Sequence, residues 1–143
     1  MRSLLHASET WAITQEDLDR LVRLERQMVR SMWGVLLRDR KRSEDLLKGL
    51  DVESVEVLLR RGRLRWFGHV ERRNEDDWLK WCMNFEVEGV RPVGRPKMTR
   101  LEGVKKDLRS MGIDVKDAQD RDLWRSRIKG GKANANVNLR NGL

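Results

Sequence analysis

Six arginines fall within fourteen residues in "RRGRLRWFGHVERR", Arg60 to Arg73, against the single acid Glu71. The planar guanidinium donates two parallel hydrogen bonds in a geometry that matches phosphate. A second cluster, "RPVGRPKMTR", carries Arg91, Arg95, Lys97 and Arg100. Contacts made by such groups follow a nucleic-acid backbone, weaken steeply with salt and read little base sequence. The plain alternative for both clusters is a solvated basic surface.

Metal and acid–base chemistry have weaker candidates. Asp76 and Asp77 are adjacent, like the carboxylates that hold Mg²⁺ in a polymerase palm. Such a pair needs a strand–turn–strand with apolar flanks, whereas here "RRNE" precedes it and a helical pattern follows. The two acids read as helix N-terminal residues. His69 has no second histidine or acid placed to work with it and reads as a core histidine or a satisfied polar contact. Cys82, among tryptophans, reads as a small buried hydrophobe. As the single cysteine it excludes an internal disulfide, and with only His6 and His69 beside it, a zinc knuckle or finger. The six tryptophans mostly sit at apolar-face positions and are expected in the core. Neither a glycine-rich phosphate loop nor a nucleophile–base arrangement is present, so no active site, metal or cofactor is expected.

The totals fit that reading. At 143 residues the chain is one domain long, and its 38% apolar content equals its 38% charged content, so the core must be lean. A formal net charge of +8 predicts attraction to polyanions, nucleic acid before anionic membrane. No apolar run approaches the ~20 residues that span a bilayer, and no secretory signal opens the chain. A soluble, intracellular protein without a membrane partner is expected, in nucleus or cytoplasm.

The elements that must position these residues read as helices. Thr14 can cap a helix with Asp17 three residues on, and Ile13 can pack on Leu18. Leu18, Leu21, Val22, Met28, Val29, Met32 and Trp33 recur at helical spacing, and Gly34 ends the run. Arg20, Arg23 and Arg30 lie opposite. Glu25 falls inside the apolar stripe and calls for a partner, expected to be an arginine of another helix. A basic loop, "RDRKR", leads to a short helix capped by Ser43. Asp51 is placed to cap a long helix from Val52 to about Arg72. On it Arg61, Arg65 and Arg72 form an edge stripe, Arg60 and Arg63 point elsewhere, and Trp66 and Phe67 face the core. "NEDDWLKWCMNF" suggests another short helix, with Asp76 or Asp77 near its N-terminus. The loop "EVEGVRPVGRPKMT" contains both prolines and is not helical. Thr99 caps a further helix ending at Gly112, and Asp114 and Asp117 open the last one. The tail from Gly130 is rich in Asn and Gly and is expected to be disordered. The fold expected is all-α with five or six helices, with room for one short N-terminal strand in "RSLLHA". The expected division is 1–90, 91–129 and a tail at 130–143.

Four blocks, in order, resemble the C-terminal part of a LINE-type non-LTR retrotransposon reverse transcriptase: "LLHASETWAIT", "LRRGRLRWFGHVERR", "GRPKMTRLEGVKKDL" and "AQDRDLWRSRI". They span about Leu4 to Ile128. The resemblance implies that the first helix is similar to the thumb, which holds the template–primer duplex by its backbone. It implies that Arg20, Arg23 and Arg30 and the arginines of the long helix face nucleic acid. It also implies a truncated fragment of an RNA-directed DNA polymerase, without the palm's catalytic aspartates, Mg²⁺ or endonuclease, for which the missing palm is a further partner. The "GRP" at Gly94 resembles an AT-hook core, with Val93 where an arginine is expected. The expectation is non-sequence-specific RNA or DNA backbone binding through Arg20, Arg23, Arg30, Arg60, Arg61, Arg63, Arg65, Arg72, Arg91, Arg95, Lys97 and Arg100. The rival is a docking module that binds protein and uses its arginines only for solubility.

Overall fold

A computed structural model describes residues 5–85, 94 and 99–130 and shows an all-α protein. Six α-helices occur among them: α1 Gln15–Trp33, α2 Ser43–Gly49, α3 Val55–Glu71, α4 Trp78–Asn84, α5 Arg100–Met111 and α6 Arg121–Ile128. Short 3₁₀ turns lie at Ser8–Thr10, Leu37–Asp39 and Val115–Gln119. The expected N-terminal strand does not form at its described end. Leu5–Ala7 is a turn, and Ala7 takes φ 55° to enter the first 3₁₀ segment. The tail at 131–143 lies outside the described residues.

Local chemistry sets most helix ends. Thr14 Oγ1 accepts from the Asp17 N–H at 3.2 Å, and the Asp17 carboxylate accepts from the Thr14 N–H at 3.3 Å. The Thr14 hydroxyl also donates to that carboxylate at 2.6 Å, and this bond, with the one from the Thr14 N–H, holds the Asp17 carboxyl below its ordinary range. Thr99 and Glu102 repeat the box on α5. Gly34 and Gly112 close α1 and α5 at φ 63° and 62°, a conformation glycine adopts without steric cost. Three ends differ from the reading of the sequence. Ser43 does not cap α2 but is its first residue, with Arg42 in the cap position and no side-chain cap bond. Helix α3 starts at Val55 rather than Val52, because Asp51 sits at φ 52° in the preceding turn and does not cap it. The C-terminal helical stretch divides: Asp114 caps a 3₁₀ turn, and Asp120 caps α6 by accepting from the Asp122 and Leu123 N–H groups.

Helix α3 is the centre of the molecule, with Val55, Leu59, Gly62, Leu64, Phe67, Gly68 and Val70 all buried. Leu64 and Phe67 join Val104 and Leu108 of α5, Ile113, Ala118, and Trp124 and Ile128 of α6 in one core. The Trp124 indole N–H donates to the Leu64 carbonyl at 3.0 Å, and its ring packs on Phe67 with centroids 6.2 Å apart. On the other side α1 packs against α2 and α3. Trp33 donates to the Leu46 carbonyl at 3.0 Å and covers Gly49.

The tryptophans depart from expectation. Trp124 alone among the six is fully buried; Trp66 is half-buried, and Trp11, Trp33, Trp78 and Trp81 are exposed. Cys82 is exposed rather than buried. His69 is exposed too, with Nε2 3.3 Å from an Arg73 guanidinium nitrogen and its ring 5.8 Å from Trp66, so it is a surface polar contact and not a core residue. Among the described residues no arginine pairs with the buried Glu25. Its carboxylate accepts the Val55 N–H at 2.7 Å, the first free donor of α3.

Candidate nucleic-acid interface

The arginines of α3 divide according to what holds them. Arg61 makes a bidentate pair with Glu53, both contacts at 2.6 Å, and this bond to Arg61 draws the Glu53 carboxyl below its ordinary range. Arg63 reaches α5, with Nε at 2.9 Å and a terminal nitrogen at 2.7 Å from the same Asp107 oxygen. Both side chains of that pair are largely buried, at 15% and 12% exposure. Arg72 donates to the Ala118 carbonyl at 2.6 Å and so ties α3 to the last 3₁₀ turn. Arg60 is half-buried, and Arg65 is exposed with no ion-pair partner among the described residues.

Elsewhere, Arg20 is exposed on α1 and pairs with Glu16 at 2.5 Å. Arg23 is exposed, and no ion pair engages it among the described residues. Arg30 donates to the Lys41 carbonyl at 3.1 Å and holds the loop after α1. The Arg100 guanidinium lies 5.4 Å from the centre of the Trp66 ring, and burial lowers its pKa from the ordinary arginine value. Arg91, Arg95 and Lys97, with the "GRP" that resembles an AT-hook, lie outside the described residues apart from Gly94.

Two open clefts gather the cations. One, of about 560 Å³, lies between the Ser8–Thr10 turn, α3 and α6, and is lined by Arg65, Trp66, His69 and Arg72 on one wall and Arg121 and Arg125 on the other. Glu9 is the single acid on its lining. The spacing explains the walls. Residues 65, 69 and 72 share one face of α3, and residues 121 and 125 share one face of α6. The sequence reading passed over Arg121 and Arg125. Their four-residue spacing was visible, but no sequence rule told that α6 would lie alongside α3. The second cleft, of about 380 Å³, brings Arg60, Arg63, Arg100 and Lys106 together with Glu56 and Asp107. Asp107 is already engaged by Arg63, and two acids make this cleft less positive than the first.

Of the two carboxylate candidates, Asp77 plays a structural part. Asp77 caps α4 by accepting the Leu79 N–H at 2.9 Å and pairs with Arg73 at 3.4 Å. Among the described residues no three of His, Cys, Asp and Glu converge as a metal site would require. No helix among them is long and apolar enough to cross a membrane. Fold and site together define a small all-α protein with an arginine-walled groove. No protein-family model, curated protein or solved structure matches the chain.

Proposed function

We propose that this chain binds the phosphate backbone of RNA or DNA in the α3–α6 cleft, without base-specific readout. The observation that carries the reading is the convergence of Arg65, Arg72, Arg121 and Arg125 around one open groove whose lining holds a single acid. Three of these, Arg65, Arg121 and Arg125, are exposed with no ion pair among the described residues, so a phosphate meets guanidinium groups that need not first leave a carboxylate. The net charge of +8 adds long-range attraction. The resemblance of four sequence blocks to the C-terminal region of a LINE-type reverse transcriptase supports the same chemistry. On that reading the chain is a thumb-like piece that grips a template–primer duplex and is not itself an enzyme.

A second reading has its own observation. Trp78, Trp81 and Phe85 are 68%, 60% and 52% exposed on and after α4, and the Trp81 and Phe85 rings lie 4.6 Å apart. Exposed aromatics of this kind suit a protein docking face, such as one for a palm domain.

The deciding experiment titrates the purified chain with labelled RNA–DNA hybrid and duplex DNA at several salt concentrations. Binding that falls steeply with salt and ignores base sequence supports backbone recognition. A folded chain that binds neither at low salt leaves the docking reading ahead.

A further inference from the structure

The loop between α1 and α2 is not used by either cleft, and it is built with care. Gly34 turns the chain at φ 63°, and the Val35 N–H returns to the Arg30 carbonyl at 3.0 Å. The Leu36 N–H donates to the Asp39 carboxylate at 2.8 Å, and the Arg40 N–H donates to the Leu37 carbonyl at 3.2 Å. Arg30 braces the far side through the Lys41 carbonyl. This frame holds Leu36 and Leu37 outward, at 53% and 79% exposure. Arg38, Arg40, Lys41 and Arg42 follow at once and are all exposed. The one acid of the loop, Asp39, is occupied by the Leu36 N–H.

We infer that Leu36 and Leu37 form an apolar wedge that enters a base step of a nucleic-acid duplex, while Arg38, Arg40, Lys41 and Arg42 hold the phosphates on either side. Charge selects a polyanion as the occupant. Size then selects among polyanions. Two leucine side chains hold fewer carbons than one fatty-acyl chain, which alone holds a protein on a bilayer only marginally. A base step, by contrast, is the natural receptor for one or two inserted aliphatic side chains flanked by cations. The internal bonds of the loop keep the leucines in place before contact, so little ordering is required on insertion. This inference rests on the nucleic-acid reading above and adds that the duplex is bent and locally unstacked.

The test uses a short duplex with 2-aminopurine in a central thymine–adenine step, the kind of step that unstacks most easily. The full chain is expected to raise its fluorescence at least twofold. Leu36→Ala/Leu37→Ala, which alters only exposed side chains, is expected to remove that rise and weaken binding severalfold. The salt slope should stay as in the wild type, because no phosphate contact is lost. Binding without brightening, or brightening that survives the double substitution, overturns the wedge while leaving backbone recognition standing. Absence of all duplex binding overturns both. Binding to phosphatidylserine-containing vesicles that needs the two leucines, with duplex binding indifferent to them, also overturns the wedge and gives the loop to a membrane.

Discussion

Glu25 shows how one residue can join two helices through a backbone N–H. It is 3% exposed on α1 and accepts the N–H of Val55, the first residue of α3. A helix N-terminus attracts negative charge and offers unpaired donors, so it does the work expected of an arginine. Burial still dominates and raises the Glu25 carboxyl above its ordinary value, with the Val55 bond opposing in part. The folded chain therefore holds this proton more tightly than the unfolded chain. That contribution favours the fold at low pH and is lost as pH rises from the unfolded value near 4.5 through the raised folded one. Glu25→Gln keeps an acceptor for Val55 and removes the buried charge. Its stability relative to wild type should be greater at pH 7 than at pH 4, by urea denaturation; an equal gap at both would refute the account. Glu25→Ala removes the acceptor and should cost about 1–3 kcal/mol. The Arg63–Asp107 pair behaves differently because both partners are charged. Arg63→Met strands a mostly buried carboxylate and should cost about 3 kcal/mol, whereas Arg63→Met/Asp107→Leu should recover most of that loss. A double variant as unstable as the single one would show that the pair contributes more than mutual neutralisation.

At the scale of elements, α3 carries two buried glycines whose surroundings predict opposite outcomes. A methyl group at Gly68 would overlap the Trp124 indole nitrogen. Trp124 is 1% exposed and hydrogen-bonded to Leu64, so it has nowhere to move. Gly68→Ala should therefore cost about 1–3 kcal/mol despite the better helix propensity of alanine. At Gly62 the nearest atom is Glu9 Cγ at 3.6 Å, an ordinary contact. There the propensity gain of about 0.5–1 kcal/mol should show as added stability in the same denaturation assay. Neither outcome was readable from the sequence, where both glycines look like helix-interior liabilities. What was readable is local. Thr14 with Asp17, Thr99 with Glu102, Gly34 and Gly112 each act within one turn of chain, so their spacing foretold the helix ends. The tryptophans show the converse. A helical-face position gives the direction of Trp78 or Trp81 but not what lies over it, and α4 buries none of its residues. Glu53, Asp107 and the Ala118 carbonyl took three arginines of the α3 stretch into the fold, and only packing decided which.

If the proposed backbone binding holds, the whole molecule poses a question that no single side chain answers: would nucleic acid feel the α3–α6 groove or only the overall positive charge? The two differ in how binding responds to charge removed at different places. Arg65, Arg121 and Arg125 stand on the groove, whereas Lys105, Arg109 and Lys116 are exposed and line neither cleft. Changing either trio to alanine lowers the net charge equally. Long-range attraction depends on that total and decays over a Debye length of about 8 Å at physiological salt, so it predicts similar losses for both trios. Direct phosphate contact releases condensed counterions at the contact itself. It predicts that only the groove trio flattens the dependence of log K on log salt, by about one unit per lost contact and so by about three. Fluorescence anisotropy on one duplex across a salt series measures both variants against the wild type. Equal slopes for the two trios would reduce the groove to a share of a diffuse basic surface. A slope changed by the groove trio alone would place the backbone between α3 and α6, where the sequence by itself showed only one of the two walls.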